Sequence, residues 1–373
     1  DINNNNTFKI KYVRIGAQTF EQDLLEAIAL DQGPDLFFLE DNLAFKYSNK
    51  IYPIPYTSYP LVTFKNNFVN AGEVFLDPRG ILALPITVDP LMLYYNRTML
   101  DSNNIIYPPS YWDEFTGFVK TFTKKDINQE IIQSAFALGQ FSNISHAKYI
   151  ISTLFMQTGN PIVDRKDFLI RSTINEPTKD PNNPTSSLAF YTSFSDPLKP
   201  NYSWNKSLPL SIDAFSKEDL AFYFGFASDL QVLLNKNPNQ DFQVAPVPQL
   251  RNSSFKTTSA KVTGIAVSAF SNKKETALAA LYTLADVKYA EMYSFSQYVP
   301  PARRDLLSKN RTDSYFPVFY ASALFARSWL DPSASDSNNI FRGMVEQVLS
   351  NAREPEDSIL NANNRLNLLL LNN

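Results

Sequence analysis

The side chains able to do chemistry in this sequence are few, and most are carboxylates. There is no Cys, and there is one His, at position 146. Without thiols there can be no disulfide, thiolate zinc site, iron–sulfur cluster or thiol nucleophile. With one imidazole, no site needing two His ligands can form, and a Ser–His–Asp triad has only His146 to use. That residue follows Ser145 at the start of a helical stretch, where it reads as a solvated or capping side chain rather than a ligand. The ten Gly are nowhere spaced as G-x-G-x-x-G or G-x-x-x-x-G-K-[ST], so the usual nucleotide loops are absent. The expectation is a protein with no metal and no cofactor.

Carboxylate chemistry remains. Glu40 and Asp41, followed by Asn42, end the apolar run Leu36 to Leu39, and Asp89 lies within the apolar stretch Ile81 to Tyr95. A glycosidase needs two carboxylates at a fixed separation across a sugar, and Asp89 with Glu40 is the candidate pair. Asp113-Glu114 reads instead as first-turn helix charge complementing the dipole. Arg303-Arg304 follows Pro300-Pro301. An Arg pair after a rigid turn can grip a carboxylate or phosphate with two parallel hydrogen bonds, although such residues more often hold the fold.

These residues need elements to position them. Phe8 to Ile15 alternates as a strand, a helix follows from Thr19, and Gly33-Pro34 stops it. Leu36 to Leu39 then reads as a strand buried on both faces, which makes one βαβ unit of a parallel sheet. Ligands in open α/β sheets sit at the carboxyl ends of strands, which puts Glu40, Asp41 and Asn42 on a rim. Ile81 to Tyr95 reads as strand, break and strand, with Asp89-Pro90 as the break. Trp112, Phe115, Val119 and Phe122 form a helical stripe that belongs to a core. Residues 176–209, rich in Pro, Asn and Ser, read as a surface excursion.

Length and charge bound the rest. The 373 residues suit two domains or one large one. Lys and Arg number 34 against 37 Asp and Glu, so no face that binds nucleic acid or an anionic membrane is announced. No apolar run approaches 18 residues. Aromatic residues make up 14%, and with the many Asn they read as AT-rich codon usage rather than a dedicated binding surface.

Several segments, in order, resemble the extracellular solute-binding proteins of ABC importers, in particular the group that includes maltose-binding protein. GPDLFFLEDN (Gly33 to Asn42) is similar to the family's G-x-PD strand and ligand loop. ILALPITVDPLMLYYNRTML (Ile81 to Leu100) with PPSYWDEF (Pro108 to Phe115) resembles the stretch where the chain first crosses between lobes. DFQVAPVPQ, VTGIAVSAFSNKKETALAAL and FSQYVPPARRDLL resemble the return crossing, the re-entry into the first lobe and the x-x-x-P-x-R turn. The family has one more βα unit ahead of the part that matches Phe8 to Ile15, and here only Asp1 to Thr7 precede it. The resemblance therefore leads us to expect that unit to be removed, disordered or lost.

The resemblance implies a two-lobed α/β fold of the periplasmic-binding-protein type, with a hinge and an interlobe cleft. Lobe one would hold 1–92 plus 262–325, and lobe two 93–261 plus 326–373. It implies a receptor that closes on a small solute, a sugar or oligosaccharide, and hands it to a membrane permease, with no catalysis, no cofactor and no nucleic acid. Glu40, Asp41 and Asn42 would meet the ligand from lobe one, and Asp89 from the crossing. Gln140, Phe141 and Asn143 would meet it from lobe two, with Phe226 stacking on a ring and Trp329 at the last crossing. Arg303 completes the expected set. The receptor would be a monomer outside the cell or in the periplasm, lipid-anchored through a segment ahead of Asp1. A glycoside hydrolase, or a scaffold or adhesion protein on the same fold, are the alternatives.

Overall fold

The computed structural model describes residues 8–16, 18–166, 169–176, 183–309 and 311–371. Its frame is one eight-stranded sheet built around two long strands, Leu84–Asn96 and Thr258–Val267. Residues 84–90 of the first pair antiparallel with the second, and residues 91–95 pair with Leu220–Phe226. Phe242–Pro246 pairs with residues 92–96 on the other side. One strand therefore passes from one set of partners to another at Asp89-Pro90-Leu91.

The buried apolar residues separate at the same point. One cluster takes Leu24 to Val88, then Ala260 to Ala326 and Leu330. The other takes Leu91 to Val247, then Phe319, Trp329 and Ile340 to Leu366. Two cores joined by shared strands make a two-lobed α/β fold, as the sequence implied.

The aromatic residues find their use in the second core. Phe115 stacks on Phe136 at 3.8 Å between ring centroids, Phe136 on Phe222 at 4.8 Å, and Trp112 on Phe224 at 5.6 Å. The stripe Trp112, Phe115, Val119 and Phe122 is wholly buried. Such offset and edge contacts each add about 0.5–1.5 kcal/mol beyond area burial.

Four local expectations change. Residues 8–16 form no strand, and Leu36–Glu40 pairs antiparallel with Thr258–Val267 rather than within a parallel βαβ unit. Alternation of Phe8, Ile10 and Tyr12 gives a strand-like pattern, but a strand also needs a hydrogen-bonded partner. The strand Leu84–Asn96 runs unbroken through Asp89-Pro90, because the Pro90 carbonyl accepts from the Ala227 amide and the sheet exchanges partners there. The 176–209 stretch is not a surface excursion. It contains the helix Pro184–Ser193, and its Leu188, Tyr191, Phe194 and Trp204 are buried in the second core. Residues 177–182 of that stretch, and the polar start Asp1 to Asn6, lie outside the described residues.

A hairpin of the second lobe, Val163–Lys166 with Leu169–Ser172, reaches the first lobe. Arg165 donates to the Leu76 carbonyl and stands 3.7 Å from Asp77, while Ile170 packs against the first core.

Candidate functional site

Each long strand carries one charged residue, Asp89 in one and Lys261 in the other, and the register sets them opposite each other. Directly paired residues on one sheet face lie about 5 Å apart at Cβ. Asp89 is held by Ser228, whose amide donates to Oδ1 at 3.0 Å and whose hydroxyl donates to Oδ2 at 2.6 Å. Burial pushes the Asp89 carboxyl above its ordinary range, against the pull of Lys261 and of Ser228.

The next turn of chain adds a second carboxylate. Asp229 opens the helix Asp229–Lys236, and its Oδ2 accepts from the Tyr223 hydroxyl at 2.8 Å and the Phe226 amide at 3.1 Å. His146 Nε2 lies 2.8 Å from the same oxygen, which makes it the protonated nitrogen of the ring. Burial would raise this carboxyl, but the His146 and Tyr223 hydrogen bonds and Lys261 hold it below its ordinary range. The lone His is therefore a partner of a buried acid, not a solvated side chain.

Gly225 is what lets that acid approach. A Cβ there would stand 2.3 Å from the Tyr223 ring and 2.7 Å from Asp229 Oδ2. Gly225→Ala must push the carboxylate off its donors, and overpacking of this kind costs about 1–3 kcal/mol. Urea denaturation is expected to show that loss; an unchanged midpoint would mean the close approach is not needed.

Phe226 is enclosed. Lys261 Nζ sits 4.0 Å from its ring centroid, and the rings of His146 and Tyr149 meet it edge-on at 4.7 and 4.9 Å. It is fully buried, so in this conformation it has no free face for a ligand ring. Tyr149, half-buried, is the aromatic that reaches toward lobe one.

The lobe-one rim meets the last crossing here. Asp41 accepts from the Ser328 hydroxyl and, at 3.1 Å, from the Asn42 amide. It is 5% exposed, and burial raises its pKa to about 7, opposed by the bond from Ser328 and aided by Glu40. Among the described residues the buried Asn42 side-chain oxygen has no partner. Asp41, Asn42, Tyr149, Ser328, Trp329 and Asp331 surround a cavity of about 10 Å³. That is at the lower limit for one water molecule, so nothing larger fits there in this conformation. Trp329 stacks on Phe341 at 6.2 Å and has Lys148 Nζ 5.5 Å from its ring. Lys148 in turn donates to Asp331 at 2.7 Å and to the Ser337 hydroxyl at 3.1 Å.

Of the residues expected from sequence, the structure gathers Asp41, Asn42 and Trp329 around one cavity. Phe226 joins them through Tyr149, and Asp89 stands opposite Lys261. Glu40 is exposed beside Asp41. The others do not line that cavity. The Gln140 backbone carbonyl accepts from the Tyr191 hydroxyl at 2.6 Å, and Phe141 is buried with the Arg342 guanidinium 5.7 Å away. Asn143 donates to the Asn205 and Leu208 carbonyls at 2.8 and 2.9 Å, pinning that loop. Arg303 does make the two-pronged grip foreseen for it, but on its own neighbour Asp305 at 3.1 and 2.8 Å. It lines a separate lobe-one cavity of about 250 Å³ with Tyr59, Phe68 and Tyr282.

Sequence reasoning missed Lys148, Tyr149, Ser228, Asp229, Lys261, Ser328 and Asp331. For Lys261 a signal was there: one charge in a strand otherwise free of it. Tyr149 has no such mark, because an aromatic in an apolar helix reads as core.

Among the described residues no cluster of His, Asp or Glu could hold a metal, and no helix is long and apolar enough to cross a membrane. No individually curated protein matches the chain in sequence. In fold it is similar to a cyclo/maltodextrin-binding protein complexed with maltotetraose, with TM-score 0.75, 15% identity, and 95% of this chain and 87% of that one covered. It is similar to the cyclic alpha-maltosyl-1,6-maltose binding protein of Arthrobacter globiformis, with TM-score 0.77, 15% identity, and 96% and 90% covered. It is also similar to the maltose-binding periplasmic protein of Listeria monocytogenes in complex with maltose, with TM-score 0.74, 17% identity, and 99% and 92% covered. At these identities the likeness speaks for the fold. The family model of the bacterial extracellular solute-binding proteins matches residues 1–313, and the chain belongs to that family.

Proposed function

We infer that this solute-binding protein is the receptor of an ABC importer and takes a neutral sugar or oligosaccharide between its lobes. The observation that carries the reading is the meeting of Asp41, Asn42, Tyr149 and Trp329 at the lobe junction. Carboxylate and amide oxygens suit sugar hydroxyls, and aromatic faces suit the C–H faces of sugar rings. The unpartnered Asn42 oxygen is an acceptor waiting for a donor. The fold neighbours described above are complexed with, or named for binding, glucose oligomers.

The lobes are proposed as 1–92 plus 262–325 and 93–261 plus 326–373. The change of core between Val88 and Leu91, and again between Val247 and Ala260, supports the crossings near 92 and 261. The strands that cross there form the hinge, and closure brings the two sets of polar groups together. Glu40, Asp41, Asn42, Asp89 and Trp329 are the binding residues, with Phe226 backing Tyr149. Delivery to a permease, a monomeric state and a lipid tether belong to the same reading. Light scattering and fatty-acid labelling of the full gene product test the last two.

Titration calorimetry with maltose, maltotetraose and D-tagatose tests the ligand class. At least one is expected to bind, and Trp329→Ala to weaken it by about 30-fold or more, as for a buried aromatic anchor. Binding of peptides or polyamines with no sugar response would sink the sugar assignment and leave the receptor class standing.

A further inference from the structure

The carboxylates near the lobe junction, apart from exposed Glu40, have internal hydrogen-bond partners. Asp41 has Ser328, Asp89 has Ser228, Asp229 has His146 and Tyr223, and Asp331 has Lys148. Lys261 differs. Its half-buried ammonium lies on the Phe226 ring at 4.0 Å and 5.7 Å from the Tyr149 ring centroid. No hydrogen bond or ion pair to it is found among the described residues. An ammonium has three donors, and a ring face engages only one side of it. Donors left without acceptors in a partly dry site favour whatever molecule brings an oxygen.

The charge around Lys261 narrows what that oxygen is. Asp89 lies opposite in the register, and Asp229 acts on the same ammonium through space. Two carboxylates already balance one cation, so a further anion gains little attraction and meets their repulsion. A hydroxyl or ring oxygen accepts the hydrogen bond without that cost.

We propose that Lys261 is a ligand-binding residue that donates to a neutral oxygen of the solute above the Phe226–Tyr149 pair, so that the receptor prefers neutral sugars to uronates. This rests on the sugar reading given above. The same charge faces Asp89 and Asp229, so removing it is expected to cost stability as well as binding.

The test is calorimetry of the wild type, Lys261→Met and Lys261→Arg with maltose, maltotetraose, D-tagatose and a galacturonic acid trimer. Lys261→Met keeps the stem on the ring and removes the donors. It is expected to lose about 10–100-fold in affinity for the neutral sugar, the scale of a hydrogen bond to a charged group. Its solute-free melting midpoint is expected to fall, because Asp89 and Asp229 then face no cation, so binding is read well below that midpoint; Lys261→Arg is expected to restore most of the binding. Lys261→Leu, which also has no donor, takes the place of Lys261→Met if that variant does not fold. Wild-type binding of a neutral sugar with no loss in Lys261→Met overturns the inference alone. Tighter wild-type binding of the galacturonic acid trimer overturns the preference for neutral ligands. No sugar binding to the wild type removes the sugar reading and this inference together.

Discussion

Raising the pH from 4 to 8 is expected to remove on the order of 4 kcal/mol of stability through Asp41 alone. Burial holds its carboxyl at about 7 in the folded chain, against an ordinary 3.8. Between those values the folded state keeps a proton that the unfolded state has released. Stability then falls as pH rises, since its slope follows the protons bound by the unfolded minus the folded state. The contribution is fully present below 3.8 and is lost as pH passes through 7. About three units at roughly 1.4 kcal/mol each give the stated size. Asp41→Asn carries no titrating proton, so the difference between its urea unfolding curve and that of the wild type should change by that amount between pH 4 and 8. A constant difference would mean that Asp41 is solvated well enough to ionise normally. The same proton bears on function: below pH 7 Asp41 can donate, and above it can only accept.

The second large effect belongs to Lys148 and Asp331. Their side chains are 6% and 5% exposed and 2.7 Å apart. Removing one partner strands a buried charge, which costs about 3–5 kcal/mol. Lys148→Ala is expected to lose that much in chemical denaturation. The double variant Lys148→Met with Asp331→Leu should recover much of it, because no charge is then desolvated. A loss under about 1 kcal/mol in the single variant would show that water reaches the pair. The pair joins the helix Ala147–Gln157 to the turn before Ala334–Leu349, beside the Trp329 ring. Loss of stability and loss of sugar binding should therefore appear together in Lys148→Ala.

Legibility differed by element for physical reasons. The helix bearing Phe115, Val119 and Phe122 was readable because helical period and burial agree locally. The strand Leu84–Asn96 was readable as apolar, but not as unbroken. Whether Asp89-Pro90 ends it depends on Ala227 and on the partners on either side, all remote in sequence. Residues 8–16 show the converse, a strand pattern without strand pairing. In 183–209, a Pro- and Ser-rich composition suggested surface, whereas a helix starting at Asn183-Pro184 carries Leu188 and Tyr191 inward.

The site divided in the same way. Asp41, Asn42 and Trp329, expected at a strand end and a crossing point, do line one cavity, because such points are local features of the chain. Asn143 and Arg303 were expected by the same logic, yet the structure gives their side-chain donors to the 205–208 loop and to Asp305. Which partner a polar side chain takes depends on what stands within about 3 Å, and that is set by packing.

The sequence by itself determined the chemistry that is closed to this protein, since no Cys and one His leave carboxylates, amides, hydroxyls and aromatic rings. It also determined the order of elements and the family they resemble. Only the tertiary structure decided that Lys261 faces Asp89, that His146 holds Asp229, and that Phe226 is covered while Tyr149 faces the rim. Composition and period are properties of neighbours along the chain. Register, burial and charge pairing arise between segments remote along the chain, and they exist only once two strands have crossed from one core to the other.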